Sequence, residues 1–544
     1  PEKRAIHLSQ LRTLLAHIRR RCPSEHWVGV GPDDVLNSET LTLYDAMAYV
    51  IKPATRARKC SYVEFVASGE QIPSWFVAHY WGASVAEFCL CLEQHARDRS
   101  VDLNTTGYWA SGYALSQWNV EDLSRDPLQS CFAKAMRLSD GGAVTIVDKS
   151  AACFDRTWVL YEQYLICTVR DERRDTATPF KWDLYTACHH KLAGELTVSA
   201  DDGTANKFTA GVRSGTTTVL ANMSHNKSSP AFFHNREAVG LTDGIGSGTD
   251  RDLHSKALRE KHFPQALLTT ALTKRVRNGA ATSAQDHARL LNSLAGAADL
   301  NAAPAKTHNG YNMADALVHG SLAVNCLVHG INTMPSPLFP AVLEGMRGNT
   351  STREFTFPFE AEGVNVMTLI REGCWEQVLD ALPTSIMNLH MCMPKQLRGI
   401  PAGKLTKLKS LTSLDLSGSV SLTSLPEDVC MLSEIAAIDC NGCKKLATIP
   451  SKVYDLQKLK SLVLSGCSSL KILDAKGVLP SPLQDLMLED CTSLTELPEA
   501  LGQKFGRSLG LINLHGCEKL DKLPQWVVAM EQRGSGVRRP HHLA

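Results

Sequence analysis

"LTSLDLSGSVSLTSLP", residues 411–426, alternates leucine with small or polar residues from Leu411 to Leu416 and then breaks at Ser417-Gly418. Alternation of this kind turns every second side chain of a short strand inward and leaves those between facing outward. The stretch returns as "IAAIDCNGCKKLATIP" (435–450), "LKSLVLSGCSSLKIL" (459–473), "LQDLMLEDCTSLTELP" (483–498) and "LGLINLHGCEKLDKLP" (509–524). Pro426 and Pro450 stand 24 residues apart, Pro450 and Pro498 48, and Pro498 and Pro524 26. A unit this short cannot bury its own apolar edge, so the units must stack into one curved core.

A period in the twenties with L-x-x-L-x-L is the leucine-rich repeat signature. The array is placed at residues 396–530, with a polar tail at 531–544. The residues between the inward leucines line a concave face, where such repeats commonly hold a protein partner, although a fold does not name its ligand. Cys443, Cys467, Cys491 and Cys517 recur at one repeat position, which Ser419 fills in the first repeat. A metal ladder is one reading. The other, adopted here, is a packing ladder of small side chains, because free cysteine behaves as a small buried hydrophobe. The wording "LVLSGCSSLKIL" resembles the repeats of plant intracellular immune receptors. G-x-x-x-x-G-K-[ST] occurs nowhere in the chain, so the nucleotide switch expected of such receptors is missing.

The whole chain has 544 residues, enough for three or four domains. Lys and Arg number 57 against 56 Asp and Glu. That balance excludes a bulk electrostatic grip on nucleic acid or on an anionic membrane. No window approaches the run of about 18 apolar residues that a spanning helix needs. The 17 cysteines are odd in number and dispersed, which points to a reducing, cytoplasmic setting. No C-x-x-C has a matching second pair, so no metal site is expected.

Residues 1–70 read as a helical or irregular extension with one basic amphipathic helix, "LSQLRTLLAHIRRRC", whose charges solvate one face. From residue 71 strands and helices alternate. "SWFVAHYW" is a short apolar strand, and "SVAEFCLCLEQHARDR" is a helix with Val85, Phe88, Cys89 and Leu92 on one face. "GYWASGYA" reads as a second strand, and "DPLQSCFAKAMRLSD" as a helix capped by Asp126 with Pro127 in its first turn. "GGAVTIVD" is nearly all apolar, as a central parallel strand should be. The helix "FDRTWVLYEQYL" follows it. Residues 176–395 read as a mostly helical connector. Gly244, Gly246 and Gly248 do not form G-x-G-x-x-G, and a flexible loop is the default there.

The 71–175 unit, extended as far as about 240 if further strands belong to it, resembles a TIR (Toll/interleukin-1 receptor homology) domain. "WFVAHYWG" stands where that family has its first strand and loop, with Gly82 at the turn. In "TIVDKSAACFDRTWVLYEQYL", Ser150, Phe154, Trp158 and Glu162 fit the family's S-x-x-[YF] turn and W-x-x-x-E helix. The expected fold class is therefore multidomain α/β: a flavodoxin-like parallel sheet, a helical connector and a leucine-rich-repeat solenoid. The resemblance is to a divergent TIR-like protein with plant-type repeats, as in microalgae, since "AHYWGAS" and "GYWASGYALSQW" depart from the family's pattern.

Many TIR domains cleave NAD at the nicotinamide–ribose bond, so the resemblance implies NAD as substrate, no bound cofactor, and Glu162 as the catalytic carboxylate. A carboxylate there would steady an oxocarbenium-like ribose. Tyr80, Trp81 and Gly82, with Trp158, are the expected substrate-binding residues, although Trp158 also suits a core role. His79 is read as a structural histidine in preference to a proton shuttle. Two readings follow. In one, the chain is a signalling enzyme that hydrolyses or cyclises NAD, with a protein partner on the repeats and self-association through the TIR-like unit. In the other it is a scaffold with the same two surfaces and no chemistry. The enzyme needs Glu162 in an open cleft beside Trp81; the scaffold permits that cleft to be filled.

Overall fold

The computed structural model describes residues 1–29, 34–118, 126–173, 176–190, 196–197, 236–242, 260, 262–281, 283–350, 352–358, 370, 373–473, 482–505 and 508–543. The glycines 244, 246 and 248 lie outside them. The architecture is mixed α/β, in two compact units, Pro1–Val342 and Leu343–Ala544.

In the first unit, strands β1 (Trp75–His79), β2 (Tyr108–Ala110), β3 (Gly142–Ile146) and β4 (Lys181–His190) run parallel in the order β2-β1-β3-β4. Every residue of β1 and β3 is buried. Continuous burial is what strands covered on both faces require. β5 (Leu196–Thr197) and β6 (Arg236–Leu241) pair antiparallel with β4. The sheet thus continues well past residue 175, and the segment read as a helical connector begins with strands. "GYWASGYA" splits differently from expectation, since after Ala110 the chain turns into a short helix, Ser111–Ala114.

Helix α1 (Leu8–Glu25) buries Leu8, Leu11, Leu15, Ile18 and Cys22, a stripe at helical spacing, and packs on α2 (Val85–Asp98), which in turn lies on β4 and β6. Residues 1–70 are therefore core as much as extension. Ile6 pairs with Tyr108 and joins the same apolar cluster. Helices α3 (Cys131–Leu138) and α4 (Thr157–Glu172) pack on each other and on β1. Ser130, rather than Asp126, caps α3; Asp126 caps the 3-10 turn before it. An aromatic chain runs from the sheet into these helices: Phe76 stacks on Trp109 (5.1 Å), Trp109 meets Phe132 edge-on (5.2 Å), and Phe132 stacks on Trp158 (5.1 Å). Helices α5 (Gln265–Thr273), α6 (Ala284–Leu294) and α7 (Asn309–Asn332) follow, and α6 and α7 cover the outer side of α4.

The second unit is built on one parallel sheet whose eight strands lie side by side in chain order. They are β7 (Glu354–Thr356), β8 (Asn388–His390), β9 (Ser413–Asp415), β10 (Ala437–Asp439), β11 (Ser461–Val463), β12 (Asp485–Met487), β13 (Leu511–Asn513) and β14 (Gly536–Arg538). In β8 to β12 the middle residue (Leu389, Leu414, Ile438, Leu462, Leu486) is buried between two half-exposed ones. The sheet begins and ends outside 396–530, and the tail contributes β14. After β9, β10, β11 and β13 the chain turns at Gly418, Gly442, Gly466 and Gly516 with φ of 72–73°, and Asp490 takes the same left-handed turn after β12 with φ 57°.

The recurrent cysteines pack beneath these turns. The thiols of Cys443, Cys467, Cys491 and Cys517 donate to the carbonyls of Leu416 (3.2 Å), Cys440 (3.3 Å), Leu464 (3.2 Å) and Leu488 (3.1 Å). The Ser419 hydroxyl donates to Met391 O at 3.3 Å in the same way. All five side chains are fully buried. Among the described residues no group of three or more His, Cys, Asp or Glu side chains is arranged to hold a metal ion.

Candidate functional site

Two places carry the residues singled out from sequence: the loops after β1 and β3 in the first unit, and the outward sheet face in the second.

The turn from β3 into α4 is organised by Asp148, which sequence reasoning passed over. Its carboxylate accepts the Ser150 hydroxyl (2.5 Å) and the amides of Ser150, Ala152 and Cys153 (3.2, 3.1 and 2.8 Å). Those bonds hold Ala151 at φ 56°. A carboxylate taking several N–H donors is a turn-former, and its only sequence signal is an aspartate opening a small-residue run. Ser150 therefore spends its hydroxyl on the turn.

Glu162 lies on the side of α4 that carries Val159 and Ile166, by the 100° step of the helix. The opposite side, with Leu160 and Tyr164, packs against Val276, Leu291, Tyr311 and Ala314. Thr157 ties the helix start to the same cover through Gly279 O (2.7 Å) and Ala280 O (3.0 Å). Covered on both sides, Glu162 is 5% exposed and has no hydrogen-bond or ion-pair partner among the described residues. Burial drives its carboxyl pKa well above the ordinary range. The neighbouring Gln163 amide is buried with neither end bonded among the described residues.

The loop after β1 is occupied by its own side chains. Trp81 Nε1 donates to Ser111 Oγ at 3.2 Å, its ring tilts against Tyr44 at 5.8 Å, and its carbonyl accepts Leu43 N at 3.0 Å. Tyr80 carries the Arg156 guanidinium 5.6 Å from its ring centre. A β-carbon on Gly82 would meet the Tyr80 ring at 2.4 Å, so glycine is required for that ring to fold back. Trp158 ends the aromatic chain on Phe132. No hydrogen bond or ring contact joins Glu162 to Tyr80, Trp81 or Trp158 among the described residues. His79 faces Phe88 at 4.7 Å, and burial lowers its pKa to about 4. A groove of about 480 Å³ opens at the other end of the sheet, lined by residues that include His7, Glu70, Ser74 and Asp140.

In the second unit the last residues of consecutive strands are register partners and form one outward row: His390, Asp415, Asp439, Val463, Met487, Asn513 and Arg538. Asp415, Asp439 and Asn513 each accept the amide two residues on, from Ser417 (2.8 Å), Asn441 (2.7 Å) and His515 (3.1 Å). These short local bonds fix the side chains in one orientation. His390 bridges carboxylates, with Nδ1 3.1 Å from Asp415 and Nε2 3.3 Å from Glu354. Burial and the nearby Asp415 raise the Asp439 pKa, against the pull of Asn441 N–H. Val463 and Met487 are half-buried neighbours at the centre of the row. The row passes from anionic (Asp415, Asp439) through apolar (Val463, Met487) and the buried Asn513 to cationic (Arg538), with Asp485 and Glu489 beside Met487.

No protein-family model and no curated protein matches the chain. Among solved structures it is similar to the leucine-rich repeat domain of the type III effector XCV3220 (XopL), at 16% identity over 41% of this chain and 90% of that one, with a TM-score of 0.22. It is also similar to the plant peptide hormone receptor RGFR1 in complex with RGF2, at 18% identity and a TM-score of 0.14, covering 25% of this chain and about a third (35%) of the receptor's. Among the described residues no helix is long and apolar enough to cross a membrane.

Proposed function

We propose that the chain is an interaction protein of the cytoplasm whose leucine-rich repeats form a solenoid and hold a protein partner on the concave sheet face. The observation that carries this reading is the outward row from Asp415 to Arg538, six register partners on adjacent strands. Ordered side chains on a rigid sheet lose little freedom on binding, which favours recognition. The first unit is a TIR-like docking surface that also self-associates. Its filled loops, with Trp81 on Ser111 and Tyr80 under Arg156, support a scaffold. The test is selection of binders from a displayed protein library, repeated with Val463→Asp/Met487→Asp and with Lys458→Asp away from the row. Binders lost only with the first variant support the reading. A library in which the first variant changes nothing ends it.

A second reading retains NAD cleavage at the nicotinamide–ribose bond. It is supported by the placement of Trp158 and Glu162 on the helix that follows the third parallel strand. Glu162 would have to leave its buried position and ionise in an assembled state. Nicotinamide release at high protein concentration, abolished by Glu162→Ala, would establish it. Equal traces from both proteins would remove it.

A further inference from the structure

The chemistry of the outward row narrows what it can hold. Adjacent strands lie about 4.8 Å apart, so the row from Asp415 to Arg538 crosses five intervals, about 24 Å. An extended chain advances about 3.3 Å per residue and presents every second side chain to one face, about 6.7 Å apart. Measured from a point between Asp415 and Asp439, the second face-directed residue falls about 7 Å along, close to Val463. The third falls about 13 Å along, beside Met487, and the fourth about 20 Å along, within reach of the long Arg538 side chain. A helical segment follows no such single file, because its rise of about 1.5 Å per residue returns to one face only every three or four residues.

The charges along the row agree with this spacing. Asp415 and Asp439 are register partners, so two carboxylates stand side by side. Each has an oxygen held by a backbone amide, from Ser417 and Asn441. His390 Nδ1 lies 3.1 Å from Asp415, whereas Asp439 has no cationic partner among the described residues. Asp485 and Glu489 add anionic character beside Met487, Glu489 being held by Asn513 Nδ2 at 3.1 Å. At the far end Arg538 is exposed, with no carboxylate on it among the described residues. An ammonium or guanidinium group is complementary at one end, and a carboxylate at the other.

Resting on the reading given above, we infer that the occupant is an extended segment of a partner protein with the pattern basic-x-apolar-x-apolar-x-acidic, laid across β9 to β14 with its basic residue between Asp415 and Asp439 and its acidic residue at Arg538. The polarity of the segment follows from the polarity of the row. Laid the other way round, the same segment brings like charges together at both ends.

The test uses the full chain and two fluorescent heptapeptides, the forward Lys-Ser-Leu-Ser-Leu-Ser-Glu and the all-acidic Glu-Ser-Leu-Ser-Leu-Ser-Glu, titrated by anisotropy. The forward peptide is expected to bind about tenfold more tightly than the all-acidic one. Asp415→Asn/Asp439→Asn keeps both turn acceptors while removing charge, and should erase most of the difference. Arg538→Glu should weaken the forward peptide and favour a version ending in lysine. Equal binding of the two peptides, no binding of either, or indifference to the Asp and Arg variants overturns the inference. The library selection separates the two failures. Binders that still depend on Val463 and Met487 leave the docking reading standing without this pattern, and their absence removes both.

Discussion

Arg99 and Asp183, 84 residues apart, are joined by two parallel hydrogen bonds, Nε to Oδ2 at 2.8 Å and Nη2 to Oδ1 at 2.6 Å. His95 Nε2 lies 3.2 Å from the same carboxylate, and its Nδ1 is 2.9 Å from the Tyr108 hydroxyl. One buried carboxylate thus ties α2 to β4 and reaches β2. Burial raises its pKa, but His95 and Arg99 outweigh burial and bring it to about 2.

Arg99→Met should cost about 3–5 kcal/mol, because it leaves Asp183 buried without its main partner. Asp183→Asn/Arg99→Met should be milder than Arg99→Met alone. Because the folded pKa is depressed, the stabilisation from Asp183 is complete above the ordinary value of 3.8 and is lost as pH falls towards about 2. Urea denaturation of the variants at pH 7, with the wild type followed into acid, checks both points.

Glu162 should run the other way. Its folded pKa is raised, so between the ordinary 4.5 and the folded value the native state holds a proton that the unfolded chain has released. Stability therefore declines as pH rises above 4.5. Glu162→Gln should match the wild type near pH 4 and exceed it in stability at pH 7. Melting curves at the two pH values decide it; a destabilised glutamine variant at pH 7 would mean that the carboxylate is ionised and held.

Acid should weaken the first unit ahead of the second. His79, His319 and His329 are buried, and each is lowered to about 4, with Arg275 adding to burial at His319. The unfolded chain binds protons at these sites from pH 6.5 downward while the folded one does not, so stability falls between about 6.5 and 4. Each histidine contributes up to about 3 kcal/mol. Hydrogen exchange at pH 7 and 5 should show protection lost first in β1 and α7, with β9 to β13 unchanged. His79→Leu should flatten part of the dependence.

At Cys467 a serine should be tolerated within about 1 kcal/mol, since Ser419 already makes the equivalent bond in the first repeat. Cys467→Leu should cost about 1–3 kcal/mol through overpacking under the turn. Chemical denaturation followed at the second unit distinguishes the two.

What the sequence revealed follows physical range. The repeats were legible because strand, turn and buried thiol all recur at one spacing. β1 and β3 were legible because they are apolar without interruption. β4 was not, since Lys181, Asp183 and Thr186 make it look polar, and the arginine that satisfies Asp183 lies 84 residues away. β8 and β14 keep the spacing but lack the L-x-L wording, and β7 starts 34 residues before β8, so register with their neighbours is what reveals all three. Glu162 was placed on the correct helix from Trp158 and its spacing. Its burial has no local signal, because the helix is covered on both sides and the opposite side meets residues as distant as Val276 and Tyr311.

The thiol ladder carries one more consequence. Each rung is a bond from a side chain to the backbone of the preceding repeat, and Ser419 makes it as the cysteines do. A repeat therefore meets its neighbour through a joint that is alike along the array. Duplication or loss of a whole repeat would leave every remaining joint intact, whereas a change of two or three residues would break one. Such an array can vary in length by counting whole units, and so change the reach of its face without redesigning its core.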